Sequence, residues 1–199
     1  MPRRVALPCL AAVKGLLQAA TILSLGTAGM RADEAKRAFE WDGPKVAQSA
    51  FTQDLGMLDS ERDDYATNLA SIAVNQLVAA KASETSLDDA RKMLALALHL
   101  SPRNKRAVVV NFQLSRGVLP EAVEGNYSPQ VFARLILTRG QLLEKQGGDE
   151  NKRLARYFIE LAASLDPKNE DAVYASELQR LDHGVVDWSP LMDAGEKKP

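Results

Sequence analysis

The stretch that decides the fold is Ala90-Arg91-Lys92-Met93-Leu94-Ala95-Leu96-Ala97-Leu98-His99-Leu100-Ser101-Pro102-Arg103-Asn104-Lys105-Arg106-Ala107-Val108, because it returns 65 positions later. The second copy reads Ala155-Arg156-Tyr157-Phe158-Ile159-Glu160-Leu161-Ala162-Ala163-Ser164-Leu165-Asp166-Pro167-Lys168-Asn169-Glu170-Asp171-Ala172-Val173, and nine of the nineteen positions are identical. Met93/Phe158, Leu94/Ile159 and Arg103/Lys168 keep their character as well. The duplication implies two copies of one supersecondary unit, stacked so that each buries what it cannot bury alone.

Around these copies, apolar residues recur every three to four positions across 60–116 and 128–183, with almost no strand-like alternation. That period is helical. Turn and cap signals place helices at 60–82, 87–100, 104–116, 129–145, 150–165 and 169–182. Ser60, Ser86, Ser128, Asp149 and Asn169 each stand where a side-chain oxygen accepts from first-turn amides, and Pro129 suits a first helical position. Gly147-Gly148 interrupts whatever helix precedes it. The expected inner stripes are Leu69, Ala73, Leu77 and Ala80, then Leu87, Ala90, Leu94 and Ala97, then Val131, Leu135, Leu142, Leu154, Phe158, Leu161 and Leu165. The expected fold is all-α, a short repeat solenoid or bundle of about six main helices.

Within each copy, alanines seven apart lie on one helix face and let a neighbouring helix approach closely, and the proline ends that helix. Ala90, Leu94, Ala97, Pro102 and Ala155, Ile159, Ala162, Pro167 resemble the second half of the tetratricopeptide repeat, over about 71–104 and 136–169. The first helices depart from that family: where it has a large aromatic, a glycine and a tyrosine, this chain has Val74, Val78 and Lys81, or Arg139, Leu143 and Gln146. The resemblance implies stacked helical hairpins with a concave face that binds a protein or peptide. That groove is expected on the first helices, 66–82 and 129–145, where Asn75, Ala79, Gly140 and Glu144 do not form the basic carboxylate clamp of some relatives.

Residues 1–32 differ from the rest. They hold Arg3, Arg4, Lys14 and Arg31 and no acid, so the remaining 33–199 carry −5 although the whole chain carries −1. A basic start, the apolar centre Leu16–Leu25 and the small residues Gly26-Thr27-Ala28 form the layout of a secretory signal, with a cut expected in 28–32. The uncharged run Gly15–Met30 has 16 residues, short of the roughly 20 a spanning helix needs. The expectation is export to a periplasmic or extracellular space, the alternative a membrane anchor formed by residues 5–30. Removal of that segment takes Cys9 with it, which excludes disulfides and thiol chemistry from the remainder.

The remaining divisions are a capping segment at 33–59, a first helical unit at 60–116, a linker at 117–127, a second unit at 128–188 and a mobile tail at 189–199. Asp42-Gly43-Pro44 marks a turn in the capping segment.

The chemical inventory is thin. His99 and His183 have no partners at metal-ligand spacing, so no metal and no cofactor is expected. His99 is read as an imidazolium facing a helix C-terminus, and His183 as a helix-end residue. No glycine-rich phosphate loop and no nucleophile elbow occurs. Glu121 and Glu124, with Tyr127 nearby, are the carboxylate pair considered for glycan or cation binding and are read as a solvated linker. Trp41 and Trp188 are read as caps over the ends of the repeats. The balanced charge gives no basis for nucleic-acid binding. The function expected is therefore a non-enzymatic interaction or assembly protein with a protein or peptide partner; the alternatives are a membrane-anchored scaffold and an envelope enzyme using carboxylates such as Glu121 and Glu124.

Overall fold

A computed structural model describes residues 39–46, 48–52 and 55–193. The expected signal segment, Cys9 and residues 194–199 lie outside the described residues.

All regular elements among the described residues are helices: α1 (Asp59–Ala79), α2 (Glu84–Leu100), α3 (Lys105–Ser115), α4 (Pro129–Gln146), α5 (Asp149–Leu165), α6 (Glu170–His183) and the short α7 (Ser189–Met192). The all-α expectation holds, with α1 to α6 at nearly the expected positions. Two hairpins, α1–α2 and α4–α5, form the frame. The third helices sit differently, because α3 packs on both members of its hairpin while α6 packs mainly on α5.

Local chemistry explains most boundaries. Ser128 and Asn169 cap α4 and α6 as expected, accepting from the N–H groups of Val131 and Ala172. Three other expected caps are displaced. α1 opens at Asp59 behind Leu58 with no side-chain cap, and Asp59 and Glu61 face its positive end instead of Ser60 capping it. α2 is capped by Ser83, three residues before Ser86. The Ser86 Oγ reaches back to the Ser83 carbonyl at 2.8 Å, a reciprocal pair that recruits an extra turn of helix. α5 starts behind Gly148, so Asp149 is its first residue rather than its cap.

The core runs through both hairpins. From Met93 to Leu100 every residue of α2 is buried, as is every residue of α1 from Asn68 to Val74. The alanines of the repeated motif are packed away completely: Ala90 and Ala97 are 0% exposed, Ala155 1% and Ala162 0%. Tyr65 on α1 joins the hairpins, its ring 6.0 Å from that of Phe132 and 5.4 Å from that of Phe158. Burial, reinforced by the Glu61 carboxylate, pushes its phenol up to about 12, so it remains neutral. Arg139 of α4 donates to Glu61 and to the Gly56 carbonyl across the same junction.

The α4 stripe is a correction. Val131, Leu135 and Leu142 face solvent, as does Ala80 at the end of α1, and the buried face of α4 consists of Phe132, Ala133, Ile136, Leu137, Gly140 and Leu143. Both sets have helical spacing, and Gly140 decides between them. A Cβ there would stand 3.0 Å from Ile159 and 3.2 Å from the Ala155 carbonyl, so this face alone permits the close approach of α5.

The described residues of 39–57 form no helix and do more than cap the first unit. Phe51, Leu55 and Met57 enter the core, the Ala50 N–H donates to His99 Nδ1 at 2.9 Å, and Thr52 donates through N and Oγ1 to Glu150 on α5. The Thr52 carbonyl in turn accepts from Arg62, a buried guanidinium whose Nε also donates to the last carbonyl of α2, on Leu100. The segment therefore braces both hairpins.

The C-terminal residues 189–193 are likewise no mobile tail. α7 packs on α2 with Leu191 fully buried, Met192 accepts from the Lys45 N–H, and Arg91 bridges Asp193 and Asp42 at 3.1 and 2.9 Å.

Candidate functional site

An open groove of about 920 Å³ lies between α4 and α6, with α5 beneath. Its existence follows from an asymmetry between the two copies. In the first, the Asn104 amide that caps α3 also donates to Asp63 Oδ1 at 2.9 Å and Thr67 Oγ1 at 2.8 Å, which pulls α3 against α1. The equivalent Asn169 caps α6, but its amide makes no hydrogen bond to any described residue of α4. Nothing there grips α6, so it stands away from α4. Gln179 instead ties it to α5 through the Arg156 carbonyl at 3.1 Å.

The groove is amphipathic. Leu137, Ile159, Tyr174, Ala175 and Leu178 give it apolar surface, and Glu144, Asp166, Asp171 and Asp182 line it against two cations, Arg134 and Lys168. The residues Gln130, Thr138, Gln141 and Asn169 add hydrogen-bonding capacity. On α6 this apolar stripe runs on past the groove to Leu181, which is 75% exposed, with Tyr174 at 70%. Shape, apolar surface and polar rim suit a helix or extended segment of protein better than an enclosed small molecule.

The sequence-derived groove residues fall in different places. Glu144 lines the groove, and Gly140 is buried beneath it. Asn75 is engaged by the chain itself: its amide donates to the Val123 carbonyl at 2.8 Å and accepts from the Val123 N–H at 2.9 Å. The linker thus lies over α1, and the expected continuous surface on both first helices is not formed. Ala79 is exposed at the end of α1. What sequence reasoning missed was α6 as a wall. Its signal was legible, because Tyr174, Leu178 and Leu181 make a stripe of helical spacing separate from the one that buries Ala172, Ala175 and Gln179.

Glu121 and Glu124 are both exposed, on either side of the pinned Val123, and Tyr127 is exposed beside them. His183 lines the groove at the end of α6. His99 is a correction to the imidazolium reading: it is 0% exposed, its Nδ1 accepts from Ala50 and its Nε2 donates to the Leu191 carbonyl at 2.9 Å. An imidazole that accepts at one nitrogen is neutral. Burial, foremost, pushes its pKa down from the ordinary value. Trp188 is buried, donating to Glu160 at 3.0 Å and stacking near Tyr157, and Trp41 is half-buried, donating to Asn111 at 3.1 Å. Among the described residues, no three His, Cys, Asp or Glu side chains gather to hold a metal ion, and no helix is long and apolar enough to cross a membrane.

No family model matches the chain, and neither a curated protein nor a solved structure matches it.

Proposed function

We propose that this chain is an exported, non-enzymatic helical-repeat protein that holds a segment of a protein partner in the groove between α4 and α6. The observation that carries the reading is the groove itself, an open amphipathic channel kept apart by the missing counterpart of the Asn104 clamp. Kinship with tetratricopeptide repeats belongs to the same proposal. It is supported by the buried alanines at 90, 97, 155 and 162, by helices that end just before Pro102 and Pro167, and by Gly140, a small residue in a first helix that lets its partner pack closely.

A photo-crosslinking side chain at Gln141, inside the groove, tests this in cells. The reading expects a discrete adduct from Gln141 that is lost when Leu178→Glu is introduced, and no such adduct from the same group at Glu84, an exposed residue at the start of α2 that does not line the groove. Adducts that are insensitive to Leu178→Glu would overturn it. Intact mass after fractionation tests export. Loss of about the first 28–32 residues supports the signal reading, and a full-length, membrane-retained chain supports the anchored scaffold.

A further inference from the structure

We propose that the occupant of this groove is α3 of a second copy of the chain, docked head to tail. The inference rests on the groove being a protein-binding site, as proposed above, and names its partner. It starts from two helices at equivalent positions of the duplicated sequence that have opposite charge. From 103 to 120 the chain carries Arg103, Lys105, Arg106 and Arg116 and no acid. From 169 to 187 it carries five acids, Glu170, Asp171, Glu177, Asp182 and Asp187, against one cation, Arg180, which is already paired with Glu177.

Both helices also leave apolar surface uncovered. Val108 is 46% exposed, Val109 45% and Phe112 60%, and they lie on one stripe of α3 with Lys105 before them and Arg116 after them, its guanidinium 5.3 Å from the Phe112 ring centre. None of Arg103, Lys105 and Arg106 has a carboxylate partner among the described residues. The groove presents the complement, with Tyr174, Leu178 and Leu137 between acids that outnumber its cations. An isolated repeat protein normally ends in polar capping faces, whereas here each unit ends in a partly apolar helix of opposite sign. A basic amphipathic helix on one copy and an acid-rimmed apolar groove on another satisfy both faces at once. Because the two surfaces differ, the contact is heterologous and extends to a ring or a filament.

Sedimentation velocity of the full chain at rising concentration and two ionic strengths tests this. The expected result is reversible association that weakens with salt, and that weakens at least about tenfold in each of Phe112→Glu and Leu178→Glu. Mixing those two variants is decisive, since each retains the surface the other has lost: they should form a closed 1:1 dimer that goes no further. Lys105→Glu with Asp171→Lys, both exposed, repeats the test without touching apolar residues, and circular dichroism verifies folding. A chain that stays monomeric at low salt, or variants that associate like the parent, would overturn the proposal. If the chain is monomeric yet Leu178→Glu still abolishes the Gln141 adduct, self-association fails and the groove reading stands; if that adduct is also unaffected, both fail.

Discussion

At His99 a backbone N–H aimed at Nδ1 settles the protonation state, because a protonated imidazole has no lone pair to offer Ala50. His99 staples two distant parts of the chain to α2, the 49–50 segment through Ala50 on one ring nitrogen and Ser49 on the backbone carbonyl at 2.6 Å, and residue 191 through the Leu191 carbonyl on the other nitrogen. The sign of the pH dependence follows. The folded imidazole titrates below the ordinary value of 6.5, so beneath that pH the unfolded chain takes up a proton that the fold refuses. Stability from this group is complete above about pH 6.5 and declines as the pH falls, by at most about 1.4 kcal/mol per unit. Urea unfolding between about pH 5 and 7 should show this slope in the parent chain and a flatter one in His99→Gln; parallel slopes would remove His99 as the cause. The sequence shows only a histidine late in a helix. Its neutrality depends on residues 49 and 92 positions away, which no local pattern carries.

Elements of the two copies match in order, and α2 and α5 match in length at 17 residues each, but the copies differ where they turn. The α1–α2 turn closes with the Ala82 N–H on the Leu77 carbonyl at 2.8 Å, and it places Lys81 and Ala82 at φ of 51° and 53°. The α4–α5 turn uses Gly147 and Gly148, at 73° and 85°. A side chain in left-handed backbone is strained and a glycine is not. Ala82→Gly should therefore stabilise the protein by about 0.5–1 kcal/mol, while Gly147→Ala should cost about 1–3 kcal/mol, both read by chemical denaturation. On α4 the two apolar stripes separate in the same experiment: Ile136→Ala should cost about 2–5 kcal/mol, and Leu142→Lys should stay within about 0.5 kcal/mol. Equal costs would contradict the orientation of α4. Helix existence was legible because periodicity and caps are local. Which apolar face turned inward was not, since that depends on the close approach of α5 at Gly140.

For the whole molecule, the ends of the described chain hold the hairpins together. Residues 39–57 bridge α2 and α5, and α7 closes over α2 with Leu191 in the core and its carbonyl on His99. A chain that stops after Trp188 should therefore lose about 2–5 kcal/mol, the scale for deleting a buried leucine, with a lower thermal midpoint; an unchanged midpoint would return 189–193 to the status of a tail. The groove belongs to this scale too, because it arises from a difference between two nearly equivalent packings. The sequence alone determined that the chain is helical, that it is duplicated and where its helices run, since period, caps and repetition are written along the chain. Only the tertiary structure decided that His99 is neutral, that α4 turns its Phe132–Gly140–Leu143 face inward, and that α6 rather than α1 joins α4 in forming a groove. Each of these follows from contacts between distant residues, and what distinguishes α3 from α6 is that Asp63 and Thr67 grip Asn104 in one copy while the Asn169 amide reaches no described residue of α4 in the other.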